Sequence, residues 1–218
     1  MLRFKRFILE DMPYLDDEYD IDPTEADSRV QEIEYKLRSI KAAAGGKPLQ
    51  KVADIGSYEL HHVPSEFTSP SSGRIYRRHH YVVKHKSKPI GVVDFSEEEP
   101  VKIGSEQLER HLSAQGPVFH PKHTGRRSEV PHLASRVYQT AAQHLNMPIV
   151  SGARQSRGGQ NLWANLARMG RVRMISQRGV ERIDKYNPDN PEHVAMAYPR
   201  LGQTGHYRYL VHHPERKK

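Results

Sequence analysis

The sequence predicts an α/β (α+β) domain, a mixed and mostly antiparallel sheet flanked by helices, preceded by an N-terminal helical arm. Three observations lead there. Residues 74–84 and 89–95 are rich in β-formers (Ile75, Tyr76, Tyr81, Val82, Val83, then Ile90, Val92, Val93) on either side of a polar turn at 85–88, the signature of a hairpin. From 117 to 175 the pattern alternates strand, helix, strand, helix, strand, the unit of a mixed α/β sheet. At 218 residues, with 36% hydrophobic side chains, the chain has room for one domain of moderate size plus an arm. A mean hydropathy of −0.80 gives that domain a very polar surface.

In order, residues 1–10 (MLRFKRFILE) are basic, with Phe4, Phe7, Ile8 and Leu9 on one side of a helix too short to stand alone. Residues 10–27 hold nine acidic side chains and no basic one, a self-repelling block that either solvates as a linker or covers a basic surface. Asp22, Pro23 and Glu25 form a helix-start signal, and Gly45-Gly46 permits the stop. Between them Val30, Ile33, Leu37, Ile40 and Ala44 make a narrow apolar seam, which docks on the domain or pairs with a partner helix. Residues 53–63 alternate weakly as a strand, 65–73 have loop composition, and Glu97-Glu98-Glu99 reads as a solvated loop. Residues 105–112 read as a short helix before the apolar run 117–119. Leu133, Val137, Ala141 and Leu145 recur at fours in the next helix, 133–145. Strand 148–151 follows, then helix 159–169 with Leu162, Trp163 and Leu166 on one side, then strand 172–175. Further strand-like pieces lie at 180–183, 194–198 and 207–211.

The charge is unevenly spread. Residues 1–38 carry 11 acidic and six basic side chains, leaving 28 basic against 15 acidic in 39–218, so a net +8 divides into −5 and +13. A body that basic gathers near polyanions, and with no base-reading module the expected partner is DNA held through its phosphates. Arg126, Arg127, Arg154 and Arg157, in polar turns at two helix entrances, are the expected contacts. The chain has no cysteine, which excludes disulfides and thiolate metal sites. It shows no apolar run long enough for a bilayer and no secretory leader, so no membrane partner is expected. The pairs His61-His62, His79-His80 and His212-His213 point apart if they lie in strands. His120, His123 and His132 could approach one metal but lack a carboxylate in an obvious role, and no metal site is expected.

Two resemblances extend this reading. The pattern Met-x-x-aromatic-x-x-Phe-Ile-x-Glu at residues 1–10 resembles the capsid-targeting sequence that opens internal head proteins of large contractile-tailed phages. That resemblance implies recruitment to the prohead scaffold or capsid proteins and maturation cleavage in the site Ile8-Leu9-Glu10, after Glu10. It divides the chain into a leader (1–10), an acidic linker and helical arm (11–50) and a domain (51–218). The succession hairpin, strand, helix, strand, helix, strands is similar to the GNAT N-acetyltransferase fold. Residues 88–94 (KPIGVVD) look like its second hairpin strand, and residues 151–166, closing at Gly170, look like its fifth strand and fourth helix.

That second resemblance implies an acetyl-CoA site where the fourth and fifth strands splay apart, with a glycine-rich turn presenting N–H groups to the pyrophosphate. The matching turn is 124–129, where Gly125, Arg126 and Arg127 would hold the cofactor, although Arg127 and Glu129 stand where small residues belong. The family's general-acid tyrosine would fall at Leu166, which has no proton to give, and His120 is the nearest candidate base. The sequence therefore predicts a GNAT-like internal virion protein without ordinary catalysis and with no expected cofactor. It would be packaged with DNA in the capsid interior and then delivered to the host cytoplasm to meet a host protein. The alternative is an acetyl-CoA-dependent N-acetyltransferase.

Overall fold

Along the middle of the central hairpin, residues 79–83 and 90–93, both faces are buried, which explains the near-continuous apolar runs in the sequence. The computed structural model describes residues 23–103, 106–123, 129–152, 157–170, 172–176, 182–197 and 208–212. Among them, helix α1 (Pro23–Ala43) precedes strands β1 (Gln50–Ile55), β2 (Tyr58–Thr68), β3 (Ile75–His85) and β4 (Lys88–Glu98). The small hairpin β5 (Val101–Ile103) and β6 (Glu106–Leu108) leads to β7 (His111–Phe119). Then follow α2 (Leu133–Leu145), β8 (Ile149–Val150), α3 (Arg157–Met169), β9 (Val172–Ser176), β10 (Arg182–Ile183), α4 (Pro191–Ala197) and β11 (Arg208–His212). The main sheet has the order β1-β2-β3-β4-β7-β8-β11-β9-β10. Its pairings are antiparallel except β7 with β8, which run parallel.

Alternation along the strands divides the core into two layers. Tyr58, Leu60, Tyr81, Val83, Val93, Phe95, Ile149, Met174 and Leu210 face one way and meet α2 and α3 through Val137, Tyr138, Ala141, Trp163 and Leu166. Val63, Val82, Val92 and Val118 face the other way and receive Ile33, Ile40 and Ala44 of α1. The apolar seam of α1 thus packs against the sheet. Farther along that face, Leu108 of the small hairpin, with Ile103 beside it, covers Val150, Ile175 and Val211.

Close approaches fix the register. Gly91 lies against the ring of Phe119, leaving no room for a Cβ. Opposite β4, Gly116 and Pro117 together face the single Val93, a bulge in β7 that suits a residue without N–H.

Several expectations need correction. The helix expected over 105–112 is not formed by its described residues, 106–112, which supply β6 and the start of β7, where the sheet overrides a locally helix-favouring composition. Residues 194–198 were expected as strand, yet 194–197 belong to α4. Pro191 opens that helix and the Asn190 side chain accepts from the N–H of Glu192 at 2.9 Å, an N-terminal cap. Residues 53–63 are two strands, not one, broken at Gly56 with φ +62°. Residues 65–68, expected as loop, continue β2. Glu97 and Glu98 lie in β4 instead of a solvated loop. The leader with Ile8 and Glu10, nearly all of the acidic block, and Gly125, Arg126, Arg127 and Arg154 fall outside the described residues, while Arg157 opens α3.

Candidate functional site

The tight turn between β1 and β2 builds one wall of the site that the sequence singled out. At Gly56 a side chain would strike Val130, so the turn sits hard against the approach to α2. That contact brings Ser57 and Tyr58 to the end of β7. The Ser57 hydroxyl donates to Glu129 at 2.6 Å, and His85 Nε2 lies 3.3 Å from the other oxygen of that carboxylate. The Ser57 hydrogen bond holds the Glu129 carboxyl below the usual range, so the group is an anion at neutral pH. Tyr58 bonds His123 Nδ1 at 3.2 Å, and the His123 ring stands edge-on to both His85 and His120.

His120 follows β7 directly, its N–H bonded to the carbonyl of Ile90 at 2.8 Å. Its Nδ1 accepts the backbone N–H of Lys122 at 3.2 Å, which leaves the proton of the neutral ring on Nε2. Burial, with the Lys122 charge, lowers its pKa. The lone pair a general base needs is therefore already engaged. Burial, then the neighbouring histidines, lower His123 as well. Both rings are uncharged near neutral pH. His132 is exposed in a left-handed conformation at the entrance to α2. Among the described residues no group of three or more His, Asp or Glu side chains is arranged to hold a metal.

Two polar chains cross the central strands, one on each face. Towards α2, the Nε2 proton of His62 points to His79 Nδ1 at 3.1 Å, and His79 Nε2 donates to Glu97 at 3.1 Å. Arg110 closes on Glu97, and Arg77 lies 3.8 Å away. Tyr81, whose burial raises its pKa, donates to His144 Nδ1 at 3.0 Å. An open groove of about 600 Å³ runs beside Glu97, lined also by Arg77, Arg110, Glu109 and the turn after α2.

On the α1 face, Ser65 Oγ donates to His80 Nε2 at 2.8 Å and His80 Nδ1 donates to Asp94 at 2.7 Å. Lys36 of α1 binds the second oxygen of Asp94 at 3.1 Å. Serine, base and carboxylate stand in the order of a nucleophilic triad. Ser65 and His80 are buried, however, and the chain ties α1 to three strands rather than presenting a hydroxyl to solvent.

The adjacent His79 and His80 point apart, His79 to His62 and Glu97 towards α2 and His80 to Ser65 and Asp94 towards α1; His213 lies outside the described residues. Tyr138 and Trp163 are core residues, as is Leu166, fully buried against the sheet. Sequence reasoning missed Ser57, Tyr58, His85 and Glu129 as one cluster; the Gly56-Ser57 step was the available signal. The chain matches no family model, no curated protein and no solved structure.

Proposed function

We propose that the protein is an internal head protein of a tailed phage with a GNAT-like fold, packaged with DNA and holding it weakly through phosphates. The charge partition is the observation that carries this: +13 on residues 39–218 behind −5 on residues 1–38, with a ten-residue start like a capsid-targeting leader. The GNAT-like part is supported by the succession β3–β4 hairpin, β7, α2, β8, α3, β9, with a single parallel pair where the family's fourth and fifth strands lie. The absence of ordinary catalysis is supported by Leu166, buried where a hydroxyl would be required, and by the Glu129 anion beside the turn that would cradle a pyrophosphate.

The test is an intact-mass measurement on the protein extracted from particles. The expected chain begins at Asp11, having lost three basic residues and one acidic one and fallen from +8 to +6. A full-length chain absent from particles would refute the virion assignment.

One observation favours a second reading, the acetyl-CoA-dependent acetyltransferase. β7 pairs with β8 only through Leu112 and Ser113, then runs on to Phe119 past a bulge at Gly116-Pro117. The family holds its cofactor in such an opening. Calorimetry with acetyl-CoA separates the readings: no saturable binding is expected at micromolar concentrations. Saturation that is lost on Arg127→Glu would favour the enzyme.

A further inference from the structure

The β2–β3 hairpin outruns the sheet that carries it. β1 pairs with β2 only as far as His62, and β4 leaves β3 at Arg77, whereas β2 and β3 remain paired out to Thr68 and Ile75. Beyond Glu66 and Arg77 the two strands have only each other. The ribbon is closed by Ser69 and Arg74, whose backbone bond is 2.9 Å, with Gly73 at φ +65° in the turn. An isolated ribbon tip in water ordinarily carries polar side chains. This one exposes Phe67 (61%), Ile75 (54%) and Tyr76 (43%).

Phe67 and Tyr76 are directly opposed, on one face, with ring centroids 6.4 Å apart. The guanidinium of Arg74 stands 5.2 Å over the Tyr76 ring, and Arg78 follows two residues along the same face. Arg77, on the other face, is paired with Glu66 at 2.9 Å. Within the ribbon three arginines stand against one glutamate; Glu97 of β4 lies 3.8 Å from Arg77 at its foot, so the positive charge concentrates on Arg74 and Arg78. Arg74 and Arg78 make no ion pair among the described residues. A second copy of the chain fits poorly, because edge-to-edge pairing would bring these arginines together.

We infer that this ribbon is the protein's DNA-contacting arm. It enters the major groove of duplex DNA, which is wide enough for a two-stranded ribbon. Arg74 and Arg78 reach the flanking phosphates, and Phe67 and Tyr76 lie against the apolar base edges, the thymine methyls among them. The inference rests on the DNA-binding reading above, and moves the principal contact away from Arg126, Arg127, Arg154 and Arg157.

The test uses the full chain and a fluorescently labelled duplex of mixed sequence, with anisotropy followed across a salt series. Arg74→Ala and Arg78→Ala are each expected to reduce the slope of log affinity against log salt by about 1. The double variant Phe67→Ala/Tyr76→Ala is expected to weaken binding by roughly tenfold, through lost apolar contact with the base edges, and leave that slope unchanged. All four side chains are exposed, so unchanged thermal midpoints verify the fold. If the parent chain binds and the variants bind as well as it does, the ribbon assignment fails while the DNA reading stands. If the parent does not bind even at low salt, both fail. A concentration-dependent dimer abolished by Phe67→Ala/Tyr76→Ala would overturn the assignment in favour of self-association.

Discussion

The protein is expected to lose stability as the pH falls from about 6.5 to about 4, with His62 the largest contributor among its histidines. Its imidazole is walled in by Tyr81 and His79 of β3 and by His144 of α2. Burial, then the charges of His144, His79 and His80, push its pKa down from 6.5 to about 4. The unfolded chain therefore takes up a proton that the folded chain refuses. The contribution is complete above pH 6.5 and is lost as the pH falls towards 4. For this one group the loss amounts to about 3 kcal/mol, at about 1.4 kcal/mol for each pH unit. His144, His123 and His120, all lowered by burial, act in the same direction. Urea midpoints measured across this range give the slope. His62→Gln keeps a donor for His79 but cannot titrate, so it should flatten the curve by about one proton. An unaltered slope in that variant would remove His62 from the account.

Asp94→Ala should destabilise the domain by about 3 kcal/mol at neutral pH. Burial raises the Asp94 carboxyl, but the His80 hydrogen bond and the Lys36 charge outweigh it, and the net position is below the ordinary value. Its removal leaves His80 Nδ1–H without an acceptor in the core and Lys36 without its anion. Ser65→Ala should cost less, about 1 kcal/mol, because it deletes the end of the chain rather than its centre. A double-mutant cycle of Asp94→Ala with Lys36→Met measures how far this contact holds α1 to the sheet. Coupling of about 1 kcal/mol is expected, and none would mean that Ile33, Ile40 and Ala44 do that work alone.

The elements legible in the sequence were those whose pattern is local. The β3–β4 hairpin, helices 133–145 and 159–169 and the seam of α1 follow from spacing alone, and the structure has them with boundaries shifted by at most three residues and unshifted for helix 133–145. The strand over His111–Phe119 was not legible in its first half, because His111 and Leu112 are strand only by virtue of their neighbours β4 and β8. The polar chains were hidden for the same reason. His62, His79 and Glu97 come from three strands, and only the register of β2, β3 and β4 sets them in line. Histidine pairs along the sequence gave the correct clue, that neighbours diverge, but not which distant partner each would meet. Glu97 was misread because its acidic neighbours suggested solvent, whereas Arg110 lies across the strand boundary.

The place of β11 in the sheet bears on how the chain is made. Residues 208–212 fill the slot between β8 and β9, strands that the chain has delivered some 30 to 60 residues earlier. While the nascent polypeptide is still short of them, the β1–β4 meander can assemble on α1, but β8 and β9 each keep a bare hydrogen-bonding edge beside a nearly complete core. β11 thus arrives in a gap flanked by Val150, Met174 and Ile175, and until it lands the half-built sheet is open to strands from other chains.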